Sequence, residues 1–173
     1  MIFKEMYQAD ISRYKNGGTR YIKKFHFYFR KCQSCNNEFL KMWYRFLFRR
    51  LKNQNGIEIS HTTNIGKGLY LGHPFNITIN PETIIGSNCN LHKGVTIGQE
   101  NRGTRKGAPI MGDKVWFGVN STVVGKVLIG DDVLIAPNSY INCDVPSHSV
   151  VFGNPCIIKH KENATEGYIN NCV

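Results

Sequence analysis

A six-residue repeat organises most of this chain. Between residues 111 and 145 every sixth residue is apolar, and four positions after each of them comes a second small or branched side chain. Helices and strands repeat after about 3.6 and about 2 residues, so neither explains this period. A chain that turns a corner every six residues does, which predicts a parallel β-helix with the repeated side chains buried in a column. The two series are Met111, Phe117, Val123, Ile129, Ile135 and Ile141, and Val115, Ser121, Val127, Val133, Ser139 and Val145.

The same period continues upstream in two shorter series. One is Ile59, Ile65, Leu71 and Ile77, and the other is Ile79, Ile85, Leu91 and Ile97. The step from Ile77 to Ile79 indicates a two-residue insertion. Residues 99–108 are mainly polar and glycine-bearing, so we expect them to form a loop that protrudes from one corner. Residues 57–159 are therefore predicted to be a β-helix domain, with nearly five coils between Ile59 and Val145.

The first 56 residues differ from the rest in charge and composition. They hold 13 of the 22 Lys and Arg residues and 3 of the 12 acidic residues, so they carry the whole formal charge of +10. Apolar spacing predicts helices over residues 2–15, 21–31 and 38–52. We expect this basic, aromatic α-helical region to cap the open end of the β-helix. In its third helix the predicted apolar stripe is Phe39, Trp43, Phe46 and Leu47.

The excess positive charge suggests two further partners. A basic, aromatic helix face can contact an anionic membrane surface, and that role is compatible with capping. Nucleic-acid binding is not expected, because no recognition motif accompanies the charge. The chain start lacks the apolar core of a signal peptide, which favours a cytoplasmic location with peripheral contact at the inner face of the membrane.

The cysteines and the end of the chain are expected to have structural roles. Without a secretion signal the six cysteines are predicted to be reduced thiols. Cys32 and Cys35 have the spacing of metal ligands, but no second Cys or His pair lies near them in the sequence, so no metal site is predicted. Residues 160–173 are polar and are expected to be a loosely held tail or a short helix.

One histidine interrupts an otherwise regular coil. His73 precedes a proline, and the two-residue insertion follows directly after its hexad. With the insertion counted, residue 73 stacks beneath residue 93, beside His92 and Lys93. An imidazole near a cation tends to stay neutral, which is the form that a general base requires. His73 is therefore the first candidate base, and His92 is the second.

Residues 57–159 resemble the left-handed β-helix acyltransferases, above all the serine acetyltransferase branch and its relatives in surface-polysaccharide gene clusters. The matching motifs lie at residues 65–73, 94–98, 115–120 and 151–155. The resemblance implies a left-handed β-helix, a homotrimer and acetyl-CoA as the co-substrate. It also implies that His73 deprotonates the acceptor hydroxyl and that Glu58 is its carboxylate partner.

The resemblance further implies where coenzyme A lies. In this family the pantetheine arm runs along the coils between neighbouring subunits, and Lys159 is a reasonable contact for a coenzyme A phosphate, which attracts cations. The backbone contacts to pantetheine map onto Gly98, Gly118, Val119, Ala136 and Pro137.

The sequence departs from serine acetyltransferases at the acceptor site. Those enzymes place an aspartate before the catalytic histidine, to hold the substrate ammonium, where this chain has Gly72. They place an Arg-His pair for the substrate carboxylate where this chain has Gly107 and Ala108. We therefore expect an acetyl-CoA-dependent O-acetyltransferase acting on a sugar of a surface polysaccharide or its lipid-linked precursor. Serine O-acetyltransfer and a non-catalytic binding or scaffold module are the alternatives.

Overall fold

The computed structural model describes residues 2–173. Within that range the chain begins with the helices α1 (Ile2–Ser12), α2 (Arg20–Ser34) and α3 (Glu38–Asn53), and a one-turn 3₁₀ helix, Lys15–Gly17, lies between the first two. None of the described helices is both long and apolar enough to cross a membrane. Short strands follow: β1 (Asn64–Ile65), β2 (Tyr70–Gly72), β3 (Thr78–Ile79), β4 (Ile84–Ile85), β5 (Asn90–His92), β6 (Thr96–Gly98), β7 (Ile110–Met111), β8 (Val115–Phe117), β9 (Thr122–Val124), β10 (Leu128–Ile129), β11 (Val133–Ile135), β12 (Tyr140–Ile141), β13 (Ser149–Phe152) and β14 (Ile157–His160).

The described strands form three sheets, one for each side of a prism. Sheet I contains β1, β4, β7 and β10; sheet II contains β2, β5, β8, β11, β13 and β14; sheet III contains β3, β6, β9 and β12. Neighbouring strands are parallel because each coil adds one strand to each side, and β13 with β14 forms the antiparallel exception. The predicted β-helix of about five turns, preceded by helices, is confirmed.

The column of repeated apolar side chains forms the core. Each member of the three sixth-residue series is at most 3% exposed. Val115, Val127, Val133 and Val145 of the companion series are also buried. Since each coil buries its apolar side chains only against its neighbours, the stack is stabilised coil by coil.

Strand register locates the two irregularities that the repeat predicted. Tyr70 pairs with Asn90 but Thr78 pairs with Thr96, so the two extra residues lie between β2 and β3, in the corner that contains His73. The longer step from Ile84 to Ile110 is caused by the segment between β6 and β7. In that segment residues 101–106 are exposed and a bridge joins Glu100 to Gly107.

Helix α2 covers the first coil with aromatic side chains. Phe25 and Phe29 are fully buried and belong to the same apolar core as Ile57 and Ile59. Thr19 caps the helix by accepting a hydrogen bond from the backbone N–H of Ile22. The capping role expected of the amino-terminal region is therefore carried mainly by α2.

Buried charges attach these helices to the edge strand of sheet I. Arg30 donates to both carboxylate oxygens of Asp10, at 2.8 and 3.1 Å, and to the carbonyl oxygens of Ile65 and Gly66, at 2.8 and 2.7 Å. No strand of the described chain precedes β1 in its sheet, so the guanidinium satisfies carbonyls that lack a neighbouring strand. Burial would raise the pKa of Asp10, but contacts with His26 and Arg30 outweigh it and lower the pKa.

The predicted stripe of α3 is not the face that packs. Phe48 is buried, and its ring lies 5.2 Å from the ring of Phe25 and 5.7 Å from that of Phe29. Helix α3 is apolar on two faces, so helical spacing fits both, and only the face around Phe48 meets the aromatic side chains of α2. Three of the residues assigned to the stripe are instead exposed, namely Phe39, Trp43 and Phe46.

The end of the chain is anchored, contrary to the expected loose tail. Asp132 accepts hydrogen bonds from the backbone N–H groups of Ala164 and Thr165 and from the Thr165 hydroxyl. Further along, Val173 exchanges two hydrogen bonds with the side chain of Asn88. The carboxyl-terminal segment, residues 161–173, therefore runs back along the outer face of sheet II.

Candidate active site

His73 lies at the corner between sheets II and III, where the coil is two residues longer. It follows β2 directly, its φ is +51°, and it is exposed. Its carbonyl oxygen accepts a hydrogen bond from the N–H of Phe75 at 2.8 Å, which closes a tight turn. The left-handed backbone is uncommon for a residue with a side chain. The extra residues thus display this imidazole on the outside of the coil.

A cavity of about 810 Å³ opens beside His73. Its walls are formed by the turn between α1 and α2, the outer face of sheet II and the carboxyl-terminal segment. The lining contains cationic, aromatic and amide side chains, and no Asp or Glu from residues 2–173 is among them. The main polar groups are Arg13, Lys15, Tyr70, Asn90, His92 and Asn170.

His92 is held in one orientation inside this cavity. Its Nδ1 lies 2.8 Å from the carbonyl oxygen of Phe117, so Nδ1 carries the proton and donates it, which leaves the Nε2 lone pair available. Burial lowers the pKa of His92, and the nearby His73 lowers it further. The hydrogen bond to Phe117 raises the pKa but does not outweigh these two effects. The neutral imidazole of His92 therefore offers a positioned proton acceptor.

The position of the His92 ring explains why glycine, with no side chain, occupies position 72. A Cβ atom on Gly72 would overlap with Cδ2 of His92 and lie 2.6 Å from its Nε2. Gly72 and His92 are partners in the β2–β5 ladder, which fixes this close approach. No side chain fits at position 72 while His92 keeps its bond to Phe117, so His92 fills the space that an aspartate at position 72 would need.

We expect Gly72→Ala to lower the thermal stability of the protein, because overpacking of this kind costs about 1 to 3 kcal/mol. His92→Ala removes the overlapping ring, so the double variant should recover most of that loss. Thermal unfolding of the two single variants and the double variant measures the coupling. Additive changes in the melting temperature would mean that the two positions do not compete for space.

Glu58 does not join His73. It pairs with Thr78 at the start of sheet III and lines a separate cavity of about 750 Å³ with Arg45, Arg49 and Lys52. Among the described residues no ion pair links Glu58 with His73. Burial lowers the pKa of Lys52 and the nearby Glu58 raises it, so the carboxylate faces cations on α3. In this protomer Glu58 therefore lies beside the cations of α3, and its pairing with His73 stays a prediction.

Four of the expected coenzyme A residues lie on the edge that contains His73. Successive corners of this edge are joined by hydrogen bonds from Gly94 to Phe75, from Asn120 to Lys93 and from Asn138 to Val119. The residues placed there are Gly118, Val119, Ala136 and Pro137.

Backbone donors on this edge differ in availability. The N–H groups of Gly118 and Ala136 donate to Ile135 and Val151 of the next coil. Within residues 2–173 the N–H of Val119 has no acceptor, so it is a donor that this edge offers to a ligand. Gly118 is also a packing residue, because a Cβ there would lie 2.5 Å from the nitrogen of Pro137.

The other two expected contacts lie elsewhere. Gly98 ends β6 and lines the cavity of Glu58, and a Cβ there would meet only Val124, at 3.5 Å. Lys159 is exposed on β14, with its Nζ 5.8 Å from the centre of the Phe152 ring. Neither residue lines the cavity of His73 in this protomer.

Sequence reasoning missed two walls of the cavity. Lys15, Gly18 and Thr19 come from the turn before α2, and Tyr168 and Asn170 come from the carboxyl-terminal segment. None of them belongs to the six-residue repeat. A hydrogen bond from Arg13 to the Asn170 carbonyl, 2.8 Å long, brings these distant parts together.

Comparison with known proteins gives matches to a hexapeptide-repeat family and to serine acetyltransferases. The model described as "Bacterial transferase hexapeptide (six repeats)" matches residues 108–143. Serine acetyltransferase 2 of Arabidopsis thaliana is 34% identical over 119 residues, which is 69% of this chain and 37% of that protein. The serine acetyltransferase of Helicobacter pylori is 34% identical over 99 residues, 57% of this chain and 58% of that protein. The chain thus spans between about one third and three fifths of the length of these curated relatives.

Solved structures match over more of the chain. Soybean serine acetyltransferase apoenzyme superposes with a TM-score of 0.76 at 21% identity, covering 91% of this chain and 69% of that one. Serine acetyltransferase from Vibrio cholerae gives a TM-score of 0.77 at 17% identity, covering 95% and 69%. These likenesses confirm the hexapeptide-repeat β-helix fold that the sequence predicts and the left-handedness that the family resemblance implies.

Proposed function

We propose that this chain is an acetyl-CoA-dependent O-acetyltransferase whose proton acceptor lies in the cavity shared by His73 and His92. The observation that carries the proposal is that two imidazoles line one cavity. His73 also lies on the same edge of the prism as Val119, whose N–H has no acceptor among residues 2–173. The curated relatives support the same chemistry, because they are named serine acetyltransferases. Acetyl-CoA is the co-substrate, and the proposed reaction needs no metal.

The reaction is a direct transfer without a covalent enzyme intermediate. His73 accepts the proton of the acceptor hydroxyl while its oxygen attacks the thioester carbonyl. The tetrahedral oxyanion collapses, the carbon–sulfur bond breaks, and coenzyme A leaves as the thiolate or thiol while the acetyl ester is released. His92, with its Nε2 lone pair, is the second candidate for the base. The N–H of Val119 is offered to a carbonyl of the pantetheine arm, and Lys159 to a coenzyme A phosphate.

L-Serine is the first acceptor to test. The curated relatives are serine acetyltransferases, so the comparisons support this alternative better than the sugar acceptor that the sequence departures favoured. In the cavity Lys15 carries the charge that suits a carboxylate, and Arg13 adds positive charge although its guanidinium already donates to Gly68, Asn90 and Asn170. The product with serine would be O-acetylserine.

A sugar hydroxyl is the second candidate acceptor. It is supported by the His92 ring, which fills the space beside Gly72. No carboxylate from the described chain lines the cavity, and His92 excludes one from position 72. The ammonium group of serine would therefore have no charged partner from this protomer, and an unpaired buried polar group costs about 1 to 3 kcal/mol. A neutral or anionic sugar does not carry this cost.

We also propose that the protein is a homotrimer, as the family resemblance implies. Arg105 pairs with Glu100 at 3.4 Å and does not line the cavity of its own His73. The exposed residues 101–106 are therefore available to a neighbouring protomer. Light scattering of the purified protein measures the mass of the assembly.

Acetyl transfer from acetyl-CoA to L-serine, compared with transfer to neutral and anionic oligosaccharides, tests the proposal. Release of free coenzyme A thiol and mass spectrometry of the acetylated product are the two readouts. Efficient O-acetylserine formation supports serine, and acetylated sugar with little O-acetylserine supports the second candidate. Acetyl-CoA binding without turnover on any acceptor would contradict the enzymatic proposal and favour a non-catalytic binding module.

A further inference from the structure

The outer face of α3 is an exposed apolar surface with no partner among the described residues. Phe39 is 81% exposed, Trp43 58% and Phe46 56%, and Leu40 and Met42 beside them are also exposed. The rings of Trp43 and Phe46 stack on each other with centres 5.8 Å apart, so the aromatic side chains form one patch. Water contact with clustered aromatic rings is unfavourable, and a patch of this kind on a folded protein marks a site of contact.

The charges around this patch restrict what can cover it. Helix α3 has five basic residues, Lys41, Arg45, Arg49, Arg50 and Lys52, and one acidic residue, Glu38. The whole amino-terminal region, residues 1–56, carries the formal charge of +10. Two copies of the same basic helix repel each other at close approach. An anionic surface is attracted to it, so the charges favour a negatively charged partner over a second copy of α3.

The combination of groups fits a lipid surface. Tryptophan and phenylalanine side chains enter the region between headgroups and acyl chains, where they leave water without crossing the bilayer. Each Lys or Arg near an anionic membrane adds about 1 kcal/mol of attraction. Arg49 and Arg50 are exposed on the turn that follows the aromatic patch, so both types of contact are available to one flat surface.

We propose that the outer face of α3, formed by Phe39, Leu40, Met42, Trp43 and Phe46 with the flanking arginines, docks on an anionic phospholipid membrane. The aromatic side chains insert at the headgroup level, and the arginines bind the lipid phosphates. The opposite face of α3 remains packed on α2 through Phe48, so docking needs no rearrangement of the fold. This surface is independent of the reaction proposed for the cavity of His73.

Vesicle binding tests the proposal on the full chain. We expect the protein to sediment with vesicles enriched in phosphatidylglycerol but not with vesicles of phosphatidylcholine alone, and added salt should weaken binding. The emission of Trp43 should shift to the blue on binding. The chain has one other tryptophan, Trp116, which packs against His92 and Tyr168 and should not respond.

Matched variants distinguish binding through this face of α3 from nonspecific adsorption to vesicles. Phe39→Ser combined with Trp43→Ser should lower the vesicle partition coefficient about tenfold or more, because two aromatic side chains no longer leave water. Arg50→Gln should lower it about fivefold. Leu128→Ser changes a side chain that is 55% exposed on sheet I and should leave binding unchanged. These positions are exposed, so thermal unfolding should be unaffected in all of them.

Three results would overturn the proposal. One is the absence of vesicle binding, or equal binding to phosphatidylcholine. Another is a loss with Leu128→Ser as large as that with the aromatic double variant. The third is that the double variant dissociates into smaller species in light scattering while the parent protein does not bind vesicles. That result would mean that this face forms a contact between copies of the chain.

Discussion

Replacing His73 by alanine should lower acetyl-transfer turnover by about 100- to 10,000-fold, the usual contribution of a positioned general base. Acetyl-CoA binding should change little, because His73 precedes the stacked corners that are proposed to hold pantetheine. The imidazole is exposed at a corner outside the apolar column, so its loss should not affect folding. Steady-state rates with the best acceptor, together with equilibrium binding of acetyl-CoA, measure both effects.

His160→Ala is the matched control. His160 is an exposed histidine on β14 whose ring lies 3.2 Å from the carboxylate of Glu162, away from the cavity. Its replacement should leave turnover within a small factor of the parent. If His73→Ala kept near-full activity while His92→Ala lost it, the role of the base would pass to His92. Near-full activity in both variants would remove the imidazoles from the mechanism.

Replacing Arg30 by methionine should lower the free energy of unfolding by about 3 to 5 kcal/mol, the cost of leaving one partner of a buried ion pair without the other. Methionine fills much of the space but cannot bind Asp10, which is fully buried. The carbonyl oxygens of Ile65 and Gly66 would lose their donors at the same time. Urea unfolding at a fixed protein concentration, followed by circular dichroism, measures the change.

An exposed ion pair on the neighbouring helix provides the comparison. Lys41 lies 3.2 Å from Glu38 at the surface of α3, and Lys41→Met should change stability by about 0.5 kcal/mol or less. A similar small change for Arg30→Met would show that water or another side chain compensates Asp10. It would also show that Arg30 is not needed to hold the helices on the first coil.

The β-helix could be predicted from the sequence because its repeat appears directly as one apolar residue at every sixth position. Each coil repeats the same contacts, so Ile65, Leu91 or Ile135 each reveals its environment without knowledge of distant segments. Interruptions of the same six-residue period also locate the two-residue insertion near His73 and the protruding loop at residues 99–108. His92 could be placed near His73 by adding two residues to the register, and the ladder between Gly72 and His92 bears this out.

Features that depend on contacts outside the repeat were not predictable in this way. Helical spacing predicts the wrong face of α3, because spacing alone cannot tell which of two apolar faces meets α2. The surroundings of Glu58 could not be predicted, because Arg45, Arg49 and Lys52 line its cavity from a separate helix. The polar sequence of the carboxyl-terminal segment predicts a loose tail, and no local signal shows that Asp132, on an earlier coil, accepts hydrogen bonds from Thr165.

Both ends of the prism carry features that oppose the addition of another coil. At one end Arg30 occupies the carbonyls of the edge strand; at the other, β14 turns back antiparallel to β13 and presents Lys159 outward. A strand edge left open invites another chain to continue the ladder. Here a second molecule would meet a guanidinium at one end and a reversed strand at the other. The protein can therefore remain a discrete particle at high concentration instead of joining end to end into fibres.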